Sequence, residues 1–129
     1  MIDAKVHVLV VDDEPDLCWA ITQALRPLAY IVKSATSAAQ ALTYLSQHTY
    51  KVAFVDVKIQ DMDGLKLASL IRQRSPATRI ILISGFYYQE DSAIIEGLKN
   101  NLFTSFLAKP FNLAEVRSLA QQAVSFGEL

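Results

Sequence analysis

Apolar residues alternate along the chain between two rhythms. Four short runs are apolar at nearly every position: Val6 to Val11, broken only by His7, then Val52 to Val55, Ile80 to Ile83, and Phe103 to Ala108 with two small polar residues inside. Each has strand length and a β-branched or aromatic character, and continuous rather than alternating apolarity suits parallel strands buried on both faces. Tyr30-Ile31-Val32 is a weaker fifth run and predicts an edge strand. Between the runs the spacing turns helical: Leu17, Ala20, Ile21, Ala24, Leu25 and Leu28 share one face, as do Ala38, Ala41, Leu42 and Leu45. Leu67, Leu70 and Ile71 predict a third helix, and Ile94, Ile95 and Leu98 a shorter fourth. The fifth is the clearest, through Leu113, Val116, Leu119, Ala120, Ala123 and Val124. Strand and helix alternate five times, which predicts an open, doubly wound parallel α/β sheet with five strands, five helices and helices on both faces.

Composition narrows this picture. The 129 residues are 52% apolar, with 12 Lys+Arg against 13 Asp+Glu. One domain is expected, with its core over about residues 5–126. A chain of this size buries a core without disulfides or a structural metal, and the single Cys18 allows no internal disulfide. The charge balance gives no broad basic face, so no nucleic-acid binding is expected. No apolar run reaches membrane-spanning length, and Met1 to Lys5 lack the pattern of a signal peptide, so a soluble cytoplasmic protein is expected.

In an open α/β sheet, ligands bind beyond the carboxyl ends of the strands. The residues that follow the runs are Asp12-Asp13, Asp56, Ser84 and Lys109. Each has a plain structural reading: Asp13 as a helix cap ahead of Glu14-Pro15, Asp56 as a loop start, Ser84-Gly85 as a turn, Lys109 as a solvated loop residue. A suitable group at the end of each of four buried strands is harder to explain as loop filler. Three carboxylates together repel, and the usual escapes are protonation or a bound cation. Mg²⁺, which takes oxygen ligands from one or two carboxylates plus phosphate, fits such a site. A carboxylate can itself attack phosphorus to give an aspartyl phosphate, with Lys109 and the Ser84 hydroxyl balancing charge on the phosphoryl oxygens.

These residues, in this order, resemble the receiver domain of two-component response regulators, the CheY-like group of the flavodoxin-like fold, with strand order 2-1-3-4-5. The resemblance covers essentially the whole chain through Val10-Val11-Asp12-Asp13-Glu14-Pro15, Val55-Asp56 with Gly64 eight residues on, Ile83-Ser84-Gly85, and Phe106-Leu107-Ala108-Lys109-Pro110-Phe111. It implies that Asp56 is the phospho-acceptor and that Asp13 and Asp56 ligate Mg²⁺, with Asp12 acting largely through water and the Lys58 carbonyl as a further ligand. It implies that Ser84 hydrogen-bonds the phosphoryl group, that Lys109 pairs with it, that the Lys109–Pro110 bond is cis, and that Phe106 is the switch aromatic. Three departures stand out. Gln60 replaces a common proline, so a less rigid loop is expected. Leu102-Phe103 replace a small pair, so Asn100 or Asn101 is expected to take the left-handed cap conformation. Phe86 and Lys58 occupy positions that affect phosphoryl lifetime, with Phe86 expected to screen the attacking water.

The implied function is a signalling switch that takes a phosphoryl group from a sensor histidine kinase or phosphotransfer protein and responds through its fourth helix, fifth strand and fifth helix. It is not a turnover enzyme. Trp19 is similar to receivers attached to NtrC-type transcription activators, so an output domain in a longer chain is a possible partner. The alternative is a phosphorylation-independent interaction module, which the full set of site residues disfavours. A haloacid-dehalogenase-type phosphatase wants a second Asp where Lys58 stands, and a flavodoxin wants a hydroxyl-rich loop where Asp12-Asp13-Glu14 stand. His7 and His48 are read as structural or surface residues, Cys18 as packing, and Tyr87-Tyr88 as an aromatic patch with a lesser claim to a partner.

Overall fold

The computed structural model describes residues 5–85, 92–100 and 102–126. Five parallel strands form the central sheet: β1 (His7–Val11), β2 (Ile31–Ala35), β3 (Val52–Asp56), β6 (Arg79–Ser84) and β7 (Ser105–Ala108). A two-residue antiparallel pair, β4 (Lys58–Ile59) and β5 (Met62–Asp63), follows β3. The sheet order is β2-β1-β3-β6-β7, which is the predicted order with the small pair left out of the count. The weak run at Tyr30 does become an edge strand, displaced to Ile31–Ala35. The helices are α1 (Pro15–Leu25), α2 (Ala38–Gln47), α3 (Gly64–Arg74), α4 (Ser92–Lys99) and α5 (Leu113–Phe126). No helix among the described residues is long and apolar enough to cross a membrane.

Continuous apolarity in the strands builds two cores at once, because successive side chains point to opposite faces. Val8, Val10, Val52, Phe54, Ile81 and Ile83 pack toward α1 and α5. Leu9, Val11, Ala53, Val55, Ile80 and Leu82 pack toward α2 and α3. β3 is buried at all five positions, so its last residue, Asp56, is held by a strand with no solvent face.

One expectation about the α4 end is corrected and a second is narrowed. Ile95 and Leu98 are 50% and 43% exposed, so these members of the predicted apolar face point largely to solvent. The only described non-glycine residue with positive φ is Ala29, so Asn100 does not take the left-handed cap conformation; Asn101 lies outside the described residues. The helix closes instead through the Asn100 N–H on the Glu96 carbonyl (2.9 Å) and the Leu102 N–H on the Gly97 carbonyl (2.8 Å). Bulky Phe103 is fully buried, and Gly97 makes the room: a Cβ there would stand 2.5 Å from the Phe103 ring.

The segment carrying Gln60 is tied down by its neighbour. The Asp61 carboxylate accepts the backbone N–H groups of Ala38 (2.9 Å) and Ala39 (3.0 Å), pinning the β4–β5 turn to the first turn of α2. Those bonds hold the Asp61 carboxyl below the usual range. The tie expected of a proline is supplied by a carboxylate at a helix N-terminus.

Candidate functional site

Chain order reverses between β1 and β3, whose carboxyl ends therefore flank the crevice where such sheets bind ligands. Asp12 follows β1 and Asp56 ends β3; Ser84 ends β6 beside Ala108, and Lys109 follows β7. Asp12, Asp56 and Ser84 are buried, and Lys109 is partly exposed. Lys109 reaches back across the edge: its Nζ donates to Asp56 Oδ2 at 2.6 Å and lies 3.6 Å from Asp12 Oδ2 and 3.8 Å from Glu14 Oε1. The other Asp56 oxygen accepts the Lys58 N–H at 2.8 Å. The structure thus brings Asp12, Asp13, Asp56, Ser84 and Lys109 to one edge, with Lys58 adjoining through its backbone.

Backbone bonds fix these positions. The Lys109 N–H donates to the Ser84 carbonyl (2.7 Å), and the Val57 N–H to the Ile83 carbonyl (2.9 Å). The Lys109–Pro110 bond is cis, as the resemblance implied. Ser84 Oγ donates to the Gly85 carbonyl at 3.2 Å, so its hydroxyl lies at the β6 end without bonding Asp56. Phe106 is half-buried on β7, packed against the α2–α3 core and bordering a groove of about 410 Å³ with Asn112, Glu115 and Leu119. Phe86, Tyr87 and Tyr88 lie outside the described residues.

The plain reading of Asp13 as a helix cap is overturned. The N-cap is Glu14, whose side chain makes no cap bond, and Pro15 opens α1. Asp12 Oδ1 accepts the Glu14 N–H at 2.9 Å, which turns the chain so that Asp13 and Glu14 both face the cluster. Ligand atoms of Asp12, Asp13 and Glu14 lie within 4.8 Å of one another. Sequence reading treated Glu14 as a dipole acid only and missed this. Cys18, read from the sequence as packing, lies beneath the cluster: its buried thiol donates to the Asp12 carbonyl at 3.3 Å, and burial pushes that thiol's pKa up, which suits packing rather than redox chemistry.

The donor set fits a hard divalent cation. Asp12 Oδ2 is buried with no hydrogen-bond partner, and leaving a carboxylate oxygen so is costly. Burial, and then the neighbouring Asp56 carboxyl, push the Asp12 carboxyl up to about 7, although the Glu14 N–H and Lys109 oppose them. Between the ordinary value of 3.8 and about 7 the folded chain therefore holds a proton that the unfolded chain releases. The proton held on Asp12 favours folding most below about pH 4, and that advantage is lost as pH rises to about 7, so metal-free protein is expected to melt several degrees higher at about pH 6 than at about pH 8. Thermal melts in a chelator check this. The difference should shrink in Asp12→Asn and on adding Mg²⁺; an unchanged pH slope in Asp12→Asn would count against it.

The sequence profile of the response regulator receiver domain family matches residues 8–121. Response regulator protein PilR of Pseudomonas aeruginosa is 33% identical over 121 residues, covering 94% of this chain and 26% of its own. The DNA-binding transcriptional regulator NtrC of Escherichia coli is 29% identical over 118 residues, covering 92% of this chain and 24% of its own. The chain thus spans about a quarter of the length of these curated relatives. Among solved structures, a CheY-like response regulator receiver domain protein from Methanospirillum hungatei JF-1 superposes with a TM-score of 0.88 at 22% identity, covering 97% of this chain and 98% of that one. With the profile match, the sheet order and the acids grouped at the strand ends, the chain belongs to the response regulator receiver domain family and has its CheY-like, flavodoxin-like fold.

Proposed function

We propose that Asp56 accepts a phosphoryl group from a phosphohistidine donor, on a sensor histidine kinase or phosphotransfer protein, and that the chain works as a Mg²⁺-dependent signalling switch. The observation that carries this is the setting of the Asp56 carboxylate, clamped between the Lys58 N–H and the Lys109 ammonium beside a buried, unbonded Asp12 oxygen. An Asp56 oxygen forms the new bond to phosphorus as the bond to the donor imidazole nitrogen breaks and the imidazole leaves with the bonding pair. Lys109 stays paired with the oxygens that gain charge, and the Ser84 hydroxyl turns from the Gly85 carbonyl to donate to the phosphoryl group. Asp12, Asp13, Asp56 and the Lys58 carbonyl would hold Mg²⁺, with Glu14 at the rim. When bound, the cation supplies charge neutralisation to acceptor and phosphoryl oxygens.

The response runs through Ser84 and Phe106, since β6 and β7 pair Ser84 with Ala108 and Leu82 with Phe106. Half-exposed Ile95 and Leu98 on α4 and the groove beside Phe106 give the changed surface something to present. In this reading the chain is one receiver unit acting in the cytoplasm, and the length of its relatives supports an output domain of transcription-activator type beyond it. The phosphoryl group leaves by hydrolysis without turnover of an external substrate. Titration with beryllofluoride and Mg²⁺, followed by amide NMR, tests the switch: saturable shifts are expected at Ser84, Phe106 and Lys109. Amides left unmoved there, with fold intact, would favour a phosphorylation-independent module.

A further inference from the structure

The chemistry proposed for Asp56 uses only one end of the sheet. At the other end His7 opens β1, Lys51 precedes β3 and Arg79 opens β6. The Lys51 N–H donates to the His7 carbonyl and the Arg79 N–H to the Lys51 carbonyl, both at 2.9 Å, which locks the three segments side by side. With Lys5, His48 and Tyr50 they line a cleft of about 420 Å³, within the size range of small-molecule sites. Three permanent cations and two imidazoles meet there, and no carboxylate lies among the described residues that line it. On a chain of net charge -1 this is a local concentration of positive charge, set opposite the acidic edge.

The histidine pair is not arranged for a metal. The His7 and His48 rings stack with centroids 4.0 Å apart and planes tilted by 38°, and His48 continues onto Tyr50 at 5.5 Å. His48 Nδ1 lies 2.7 Å from the Thr49 carbonyl, which can only accept, so that nitrogen carries its proton. Facing rings do not converge on a common ion, and Lys5, Lys51 and Arg79 repel one. An anion meets the reverse situation, and cations drawn from three segments favour one whose charges are themselves spread over neighbouring groups.

We propose that this cleft is a second binding site, built by Lys5, His7, His48, Lys51 and Arg79 for the adjoining phosphates of a small phosphorylated ligand. Burial, and then the charges of His48 and Lys5, hold the His7 imidazole below its ordinary pKa. Among the described residues, the groups lining the cleft beside it are cationic or neutral: Lys5, His48, Tyr50, Lys51 and Arg79. A bound polyanion relieves that repulsion, so binding tightens as His7 gains its proton. The site does not depend on the phosphoryl chemistry at Asp56.

Amide NMR titration of the full chain with sodium pyrophosphate, at constant ionic strength, tests this directly. Saturable shifts at His7, His48 and Lys51 are expected, stronger at about pH 6 than at about pH 7.5. Lys5→Ala and Lys51→Ala should each weaken binding about two- to fivefold while distant amides keep their positions. ADP serves as a second probe: tighter binding than pyrophosphate assigns the source to a nucleotide and equal binding to the phosphate chain alone, both supporting the site. Shifts confined to Ser84 and Lys109, no saturation, or the parent's affinity retained in both lysine variants would overturn it.

Discussion

Lys109→Ala is expected to slow phosphoryl transfer to Asp56 by about 10²–10³-fold, the loss usual when one preorganised donor to a developing oxyanion is removed. Lys109 Nζ sits 2.6 Å from Asp56 Oδ2 and also pairs with Asp12 and Glu14. Burial alone would lower its pKa, but the hydrogen bond to Asp56 and the charges of Asp56, Asp12 and Glu14 outweigh that and raise it. The ammonium is therefore charged throughout the neutral range. Its loss acts in two directions. Transfer slows because charge on the phosphoryl oxygens is no longer met by a fixed partner. Mg²⁺ binds more tightly, because a cation competing for the same carboxylates is gone. A time course of intact mass with acetyl phosphate reads the first effect, and a Mg²⁺ titration at fixed pH the second. A transfer rate within about twofold of the parent would remove Lys109 from the reaction.

The second large effect is one of packing. Gly64→Ala is expected to cost about 3 kcal/mol or more and to lower the melting temperature by roughly 10 °C. The methyl group would stand 2.0 Å from the Asp56 carbonyl oxygen and 2.6 Å from Val57 Cα, both backbone atoms of the segment that carries the Asp56 side chain. Nothing there can swing aside, since β3 is buried throughout and the Gly64 N–H is bonded to the Val57 carbonyl at 2.7 Å. Close approach of two backbones, not unusual φ, is what requires glycine at this position. The molecules that do fold should also accept the phosphoryl group poorly, because the start of α3 and the end of β3 can separate only by moving Asp56. Thermal and urea melts measure the first consequence, and a melting temperature within about 2 °C of the parent would contradict it.

Gly64 also shows which features could be read from the chain and which could not. The strands and their two-sided burial were legible because parallel strands closed by helices are apolar at every position, and Val52 to Val55 look the same in sequence as in the sheet; the order of the strands came from the family resemblance. The grouping of Asp12, Asp13, Asp56, Ser84 and Lys109 at one sheet edge was legible for the same reason: a polar group directly after a buried strand has few places to be. α4 was not legible in this way. Ile95 and Leu98 follow helical spacing but stand half in solvent, so spacing predicted the helix and misplaced its face. Phe103 looked oversized until its socket at Gly97 was seen, a complementarity between non-adjacent residues that no periodicity reveals. Glu14 joined the acidic group because the Asp12 side chain accepts its N–H, a local turn rather than a pattern. The stacking of His7 on His48 spans two separate segments and could be found only in three dimensions.

Asp56 is proposed as the phosphoryl acceptor, in a transfer that needs a divalent cation. Intact-mass spectrometry after incubation with acetyl phosphate and Mg²⁺ tests it most directly, with Asp56→Asn and a chelator-treated sample run alongside. One added phosphoryl group, absent from both controls, is the predicted result; no adduct on the parent chain, or an equal adduct on Asp56→Asn, would contradict it.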